Sequence, residues 1–251
     1  MGAFSALPLG RRPVRSRCLA VYRADARAVQ ALLPEELRPR LVTGYAIAAA
    51  CYTRLGAPAL FRRRGAAGGS QHLCYRFAVE REDGRAATWV ARRETSSWLE
   101  ARCGARLLGG EYARSTFQVE EDAFALEIRV ADERGEAFYL RGETAPAAQG
   151  SLFATPQALE AFLGESRGVR PYDVFAPEAD ELDLAEHFAP EPLAVFESRA
   201  AFFRAAPFAP GTVELDSAWR VVSRRTQPAV ERRKVFRMLP GTSSSPALPT
   251  A

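Results

Sequence analysis

Two segments with alternating polarity place charged and polar side chains on one face of a predicted strand, as a binding site for a small molecule requires. Within residues 111–119 the polar face carries Tyr112, Arg114, Thr116 and Gln118. Arg92 and Glu94 share a face in the same way near the end of an earlier strand. Such convergent polar groups are typical of ligand sites when their faces point into a cavity.

These residues predict a specific set of roles if both faces point inward. Arg114 would hold a carboxylate through two parallel hydrogen bonds. Glu94 would pair with Arg114 or act as a general acid or base, and Tyr75 or Tyr112 would form the wall of the site. The alternative interpretation is that both faces meet solvent and that their charges pair with one another on the outside.

A covalent mechanism through an amine depends on Lys234, because it is the only lysine of the chain. It follows Glu231, Arg232 and Arg233, and neighbouring cations favour the neutral, nucleophilic form of an amine. The simpler interpretation is a solvated charge on the last strand, since runs of charge usually mark exposed faces.

Metal and serine-nucleophile chemistry receive little support from the spacing of the candidate residues. His72 and Cys74 share a strand face, but zinc requires three or four ligands, and His187 is far away in sequence. Residues 150–153 lack the second glycine of a nucleophile elbow, and no glycine-rich phosphate loop follows a strand. We therefore predict no metal and no cofactor.

Composition excludes several classes of partner. The net charge is +4 and the pI is about 9.1, yet most basic residues are scattered arginines, and Arg62–Arg64 is the only run of three arginines, so nucleic-acid binding is not expected. The four cysteines are widely spaced without a C-x-x-C, which predicts free thiols and a cytoplasmic protein. No apolar run approaches the roughly 20 residues of a membrane span.

Period-2 patterns predict about ten strands and only three short helices. Asp83–Gly84 and residues 132–135 mark the turns of two hairpins. Helices are predicted after Asp25, Ser97 and Thr155, each a suitable N-cap. This pattern predicts a strand-rich α+β fold, namely a closed antiparallel β-barrel with a few short flanking helices. The expected organisation is a flexible arm over residues 1–16, one barrel domain over 17–239, and a disordered tail over 240–251.

The order of several segments resembles a known family. The segments are Leu73–Val79, Arg93–Ser97, Gly109–Tyr112 and Gly150–Phe153, followed by a helix that runs toward Pro171–Tyr172. Together they are similar to the YqjF-like bacterial domains of unknown function, within the acetoacetate decarboxylase-like superfamily. The resemblance implies a closed, cone-like barrel around a polar-lined cavity.

The same resemblance argues against the decarboxylase mechanism. The family's Schiff-base lysine is expected on the strand that corresponds to residues 111–119, and that strand has no lysine. Arginine cannot replace it, because a guanidinium stays protonated and is not nucleophilic. The carboxylate expected on the first hairpin strand is also missing, since Tyr75-Arg76-Phe77 occupies that place.

Three hypotheses about function remain open at this point. The first is a barrel that binds a small organic molecule, an acid being one option, without a Schiff base, either as an enzyme or as a binding protein. The second is a lyase or decarboxylase that uses Lys234. The third is a structural or partner-binding module, with a homo-oligomer left open, and a barrel interior filled by Phe, Leu and Trp would favour it.

Overall fold

Twelve strands and three short α-helices make up the part of the chain that the computed structural model describes, which comprises residues 14–56, 69–108, 111–148, 150–165 and 188–223. The strands are β1 Val14–Ala24, β2 Leu37–Pro39, β3 Leu41–Val42, β4 Tyr45–Leu55, β5 Ser70–Arg81, β6 Ala86–Thr95, β7 Glu111–Arg114, β8 Thr116–Glu121, β9 Ala125–Asp132, β10 Gly135–Thr144, β11 Phe188–Ala200 and β12 Val213–Ser223. The helices are α1 Ala26–Gln30, α2 Trp98–Leu108 and α3 Pro156–Glu165, with a 3₁₀-helix at Ala201–Arg204.

All twelve strands belong to one sheet that closes on itself. Its order is β7-β6-β5-β4-β1-β12-β11-β10-β9-β8, with β2 beside β5 and β3 beside β4. The two ends of this order, β7 and β8, are consecutive in the chain and are separated by Ser115 alone. One kinked strand therefore pairs with β6 in its first half and with β9 in its second half, so the chain itself closes the barrel.

The predicted fold class is confirmed, with one parallel pair among otherwise antiparallel neighbours. Strands β6 and β7 run in parallel, because helix α2 carries the chain back across the barrel between them. Both predicted hairpins form. Gly84 has a φ of +75° in the β5–β6 turn, and Gly135 has a φ of +121° in the β9–β10 turn, where only glycine is free of strain.

The predicted N-caps are present, but some details of the helices differ from the prediction. Asp25 and Thr155 each accept a backbone N–H three residues ahead, and Ser97 does so at 3.3 Å from the nitrogen of Glu100. The helical pattern predicts a buried Leu99, whereas this residue is 62% exposed. The reason is that α2 packs on β7 through Gly104, which lies about 140° around the helix from Leu99.

Two further differences concern strand ends. Residues 14–16, predicted to belong to the flexible arm, are part of β1, where Ser16 is buried. Phe124, which alternation places on the same strand face as Leu126 and Ile128, is instead an exposed turn residue before β9. The rest of the predicted arm, the tail and a predicted strand at residues 233–238 lie outside the described residues.

Aromatic side chains fill one part of the barrel interior. The 3₁₀-helix and the following loop insert Phe202, Phe203 and Phe208 among rings from β1 and β5. Phe202 stacks on Tyr75 with ring centres 4.6 Å apart, and Phe208 stacks on Phe77 at 6.2 Å. Alanines on the inner faces of β1, β4 and β12 leave the room that these rings occupy.

A second, smaller core lies on the outer face of β1, β4 and β12. Leu159 and Phe162 of α3 pack there together with Phe153 and the fully buried Trp219. The loop before α3 is held by Asp216, whose carboxylate accepts hydrogen bonds from the Ser151 hydroxyl at 2.6 Å and from the Leu152 N–H at 2.9 Å. Within the described residues, no helix is long and apolar enough to cross a membrane.

Candidate functional site

Arg92 and Glu94 point into the barrel. Directly paired residues on neighbouring strands share a face, and Glu94 is opposite Leu73 while Arg92 is opposite Tyr75. Leu73 and Tyr75 are both fully buried members of the interior core. The two charged residues therefore lie on the inner face of β6, as the inward interpretation of this pair predicted.

Glu94 is completely buried and both of its carboxylate oxygens are occupied. Oε1 accepts from Arg92 Nε at 2.8 Å, and Oε2 accepts from the Ser115 hydroxyl at 2.5 Å. Burial raises the pKa of Glu94 above its ordinary value, and the hydrogen bonds from Ser115 and Arg92 offset this only in part. The nearby charge of Asp132 raises the pKa further. A carboxyl group in such surroundings is suited to holding or exchanging a proton.

Arg92 joins three carboxylates that come from three strands. Its Nε contacts Glu94, its Nη2 donates to Asp132 Oδ2 at 2.7 Å, and its Nη1 lies 3.2 Å from Glu111 Oε1. Burial alone would lower the pKa of Arg92, but these carboxylates hold it above its ordinary value. The guanidinium thus links β6, β7 and the end of β9 at the kink that closes the barrel.

This cluster extends from the interior to the surface. The exposed fraction of the side chain is 1% for Glu94, 7% for Asp132 and 13% for Arg92, and it rises to 54% for Glu111. Glu111 is therefore the partner of Arg92 that meets solvent. A small molecule could reach the guanidinium from this side by replacing the Glu111 carboxylate.

Tyr75 lies in the interior but its hydroxyl is already used. The hydroxyl donates to the backbone oxygen of Ala137 at 2.9 Å, and the ring stacks on Phe202. Burial raises the pKa of Tyr75 well above its ordinary value, and the charge of Glu94 adds to this effect. Tyr75 is therefore a neutral residue of the barrel interior, opposite Arg92 on the neighbouring strand.

Arg114 and Tyr112 face outward, so their predicted place inside the barrel is wrong. The inner face of the kinked strand carries Ser115, which contacts Glu94, and Phe117, which packs on the interior core. Residues of the other parity must then point outward, and Arg114 is exposed. Tyr112 packs on the outside against α2, where its ring lies 5.8 Å from the Arg93 guanidinium.

His72 and Cys74, the two metal candidates within the described residues, contact different groups. His72 contacts the Ser70 hydroxyl at 2.5 Å and lies 3.4 Å from Glu100 Oε2, whereas Cys74 accepts a hydrogen bond from Arg93 Nη1 at 3.2 Å. Among the described residues, no three His, Cys, Asp or Glu side chains are grouped so that they could hold a metal ion. Lys234 and His187 lie outside the described residues.

Sequence reasoning missed Ser115 and Asp132 as members of the cluster. One available signal was the apolar character of Phe117 and Val119, which share the parity of Ser115 and identify the inner face. The sequence pattern assigns Asp132 only to a turn. Asp132 and Arg92 are 40 residues apart in the sequence, and a local sequence pattern cannot predict a contact between such distant positions.

No protein-family model and no curated protein matches this chain. Solved structures do match. The enduracididine biosynthesis enzyme MppR complexed with pyruvate matches with a TM-score of 0.52 at 12% identity, over 82% of this chain and 84% of that chain. The same enzyme with the condensation product of pyruvate and imidazole 4-carboxaldehyde gives a TM-score of 0.52 at 12% identity, over 87% and 88%.

An acetoacetate decarboxylase-like enzyme from Sphingomonas wittichii RW1 is also similar, with a TM-score of 0.48 at 13% identity over 83% of this chain and 88% of that chain. At such low identities the likeness concerns the fold and not the chemistry. The two matches to MppR show that this chain and MppR share a fold, the strand-rich barrel described above.

Proposed function

We propose that the barrel binds a small organic acid beside Arg92 and Glu94. The observation that carries this proposal is the fully buried Glu94 on the inner face of the barrel, paired with an arginine. Burying charges is costly, and a barrel that only needed a core would gain as much from apolar side chains at these positions. The organic-acid hypothesis derived from the sequence is thus kept, but its arginine is Arg92 and not Arg114.

A ligand carboxylate would replace Glu111 on Arg92. Two of the three contacts of the guanidinium are short and are made with largely buried carboxylates, whereas the contact with Glu111 is longer and that side chain is half exposed. An anion arriving from solvent would take over Nη1 while Glu94 and Asp132 keep the guanidinium in place. Pyruvate is a suitable probe, because MppR, which shares this fold, forms a complex with it.

Three variants test the proposed contact between the ligand and Arg92, and each has a different expected effect on binding. Arg92→Gln removes the proposed anion contact and should weaken pyruvate binding by about tenfold or more, as expected for the loss of a charged hydrogen bond. Glu111→Gln removes the competing carboxylate and should strengthen binding several-fold. Arg114→Gln removes an exposed arginine of the neighbouring strand face and should change nothing. Titration followed by NMR or calorimetry measures all three.

The Glu111→Gln result keeps the test decisive even if Arg92→Gln does not fold. Unchanged or weaker pyruvate binding in Glu111→Gln contradicts the proposal, as does an Arg114→Gln effect equal to that of Arg92→Gln. If pyruvate does not bind to the unsubstituted chain at millimolar concentration, the ligand is not an acid of this size.

Turnover in this site would be non-covalent, with Glu94 as the group that holds the proton. The alternative lyase mechanism needs an imine between Lys234 and a keto acid. Borohydride reduction in the presence of pyruvate separates the two. We expect no added mass, and a reduced adduct on the peptide that contains Lys234 would establish the lyase mechanism instead.

A second candidate function is favoured by the aromatic filling of the barrel. Phe203 has its ring centre within 6.2 Å of five other rings, which are those of Tyr22, Tyr75, Phe77, Phe202 and Phe208. Such a filled interior suits a structural or partner-binding module. This candidate predicts that no small acid binds and that the chain forms a stable oligomer, which light scattering after size-exclusion chromatography would detect.

We further propose that the chain is a YqjF-like member of the superfamily and acts in the cytoplasm. The ordered motifs from Leu73–Val79 to Gly150–Phe153 support the first point. The four free cysteines support the second, because reduced thiols are typical of that compartment.

A further inference from the structure

Two cysteines lie directly opposite each other on neighbouring antiparallel strands. Cys51 of β4 is paired with Cys74 of β5 in the register of the sheet. Directly opposite residues share a face, and their Cα atoms are about 4.5 or 5.5 Å apart, depending on the type of pair. Both values fall within the range of about 4.4–6.8 Å that a disulfide accepts.

The other two cysteines have no such partner among the described cysteines. Cys18 points into the barrel, because it belongs to the interior core, whereas Cys51 belongs to the core on the outer face. Cys103 is half-buried on helix α2. The register therefore selects one pair of the four cysteines, and no pattern in the sequence had indicated it.

One polar group lies beside each sulfur atom of this buried pair. Arg93 Nη1 donates to Cys74 Sγ at 3.2 Å, and the Thr53 hydroxyl lies 3.8 Å from Cys51 Sγ. A guanidinium beside a sulfur atom stabilises negative charge that develops on it during a reaction. All four cysteines are free thiols in this structure.

We propose that Cys51 and Cys74 form a reversible cross-strand disulfide when the protein meets a peroxide. One thiol attacks a peroxide oxygen, which yields a sulfenic acid and one water molecule. The second thiol then attacks that sulfur and releases a second water molecule. The two thiols are oxidised and hydrogen peroxide is reduced to water. A thiol such as dithiothreitol reverses the reaction by exchange.

Oxidation at this pair would act close to the interior cluster. Arg93, which contacts Cys74 on the outside, is followed in the chain by Glu94, which points inward. A disulfide bond fixes the position of the Cys74 sulfur atom, so oxidation changes the contact that Arg93 makes with it. The proposal does not depend on the ligand of the barrel, since the readout below is the disulfide itself.

Peptide mapping of the full chain tests the proposal directly. Trypsin separates all four cysteines, because arginines flank each of them, and it gives the peptides 18–23, 41–54, 65–76 and 103–106. After treatment of the folded protein with hydrogen peroxide at low micromolar concentration, we expect a linked 41–54/65–76 peptide under non-reducing conditions. The number of titratable thiols in the denatured chain should fall from four to two and return to four after dithiothreitol.

Matched variants identify the pair. Cys51→Ser and Cys74→Ser should each abolish the linked peptide, whereas Cys18→Ser and Cys103→Ser should leave it unchanged. The map of the unsubstituted chain decides the question even if a variant does not fold. Peroxide treatment that yields only single-cysteine sulfinic acids, a link to another cysteine, or a link only between two molecules would overturn the proposal.

Discussion

Replacement of Glu94 by glutamine should destabilise the protein less at pH 7.5 than at pH 5. Glutamine has the shape of the protonated carboxyl group, and its amide can satisfy both the Arg92 Nε–H and the Ser115 hydroxyl. At pH 5 the exchange of the protonated carboxyl group for an amide costs about 1 kcal/mol. Glu94→Ala leaves Ser115 without its acceptor and Arg92 with two of its three carboxylates, which should cost about 3 kcal/mol.

The pH dependence follows from the direction of the pKa shift. Burial raises the pKa of Glu94 in the folded protein above the ordinary value of 4.5. At pH values between the ordinary pKa and the raised pKa of the folded protein, the folded state binds more protons than the unfolded state. The stability of the wild-type protein therefore falls as pH rises through this window. The glutamine variant lacks this titration, and the difference between the two proteins therefore shrinks with increasing pH.

Urea unfolding at pH 5 and pH 7.5, followed by tryptophan fluorescence, measures these free energies. Glu143→Gln is the control, because this side chain is exposed on β10, and its effect should stay within about 0.5 kcal/mol at both pH values. A larger cost of Glu94→Gln at pH 7.5 than at pH 5 would refute the reasoning about burial. An effect of Glu94→Ala no larger than that of the control would refute the contacts themselves.

Three further outcomes are expected from other parts of the barrel. In Gly142→Ala the new Cβ would lie 2.7 Å from a backbone oxygen of β11, which cannot move aside, and urea unfolding should show a loss of about 2 kcal/mol. Asp216→Asn should lower the free energy of unfolding by about 2 kcal/mol at pH 7. Burial opposes ionisation of Asp216, but its hydrogen bonds hold the pKa below the ordinary value of 3.8. The difference in stability between the variant and the wild-type protein should therefore vanish as pH falls through the pKa of Asp216 in the folded state. Phe203→Ala should lower the free energy of unfolding by about 3–4 kcal/mol, whereas Phe196→Ala, at a residue 61% exposed, should leave it unchanged within about 0.5 kcal/mol.

The sequence predicted the elements of this fold better than it predicted which way their faces point. The hairpin turns at Gly84 and Gly135 and the N-caps at Asp25 and Thr155 are local features, and each is confirmed. Local patterns report these elements because turns and caps depend on a few adjacent residues.

The inward and outward assignments needed information from neighbouring strands. Alternation along residues 111–119 shows two faces but does not say which one is covered, and the polar face with Arg114 proved to be the outer one. The contact between Arg92 and Asp132 and the register of Cys51 with Cys74 join positions that are distant in sequence. Such contacts depend on the pairing of whole strands, which a single sequence does not specify.

The position of β1 in the sheet has a consequence for how the chain folds during its synthesis on the ribosome. This strand lies between β4, which is made soon afterwards, and β12, which ends at residue 223. Because synthesis proceeds at about 5–20 residues per second, β1 waits on the order of ten seconds or more for its second neighbour. During that interval one edge of β1 exposes unpaired backbone N–H and C=O groups. In a nascent chain that is halted before residue 213, this unpaired edge would stay available for binding by chaperones or by other nascent chains.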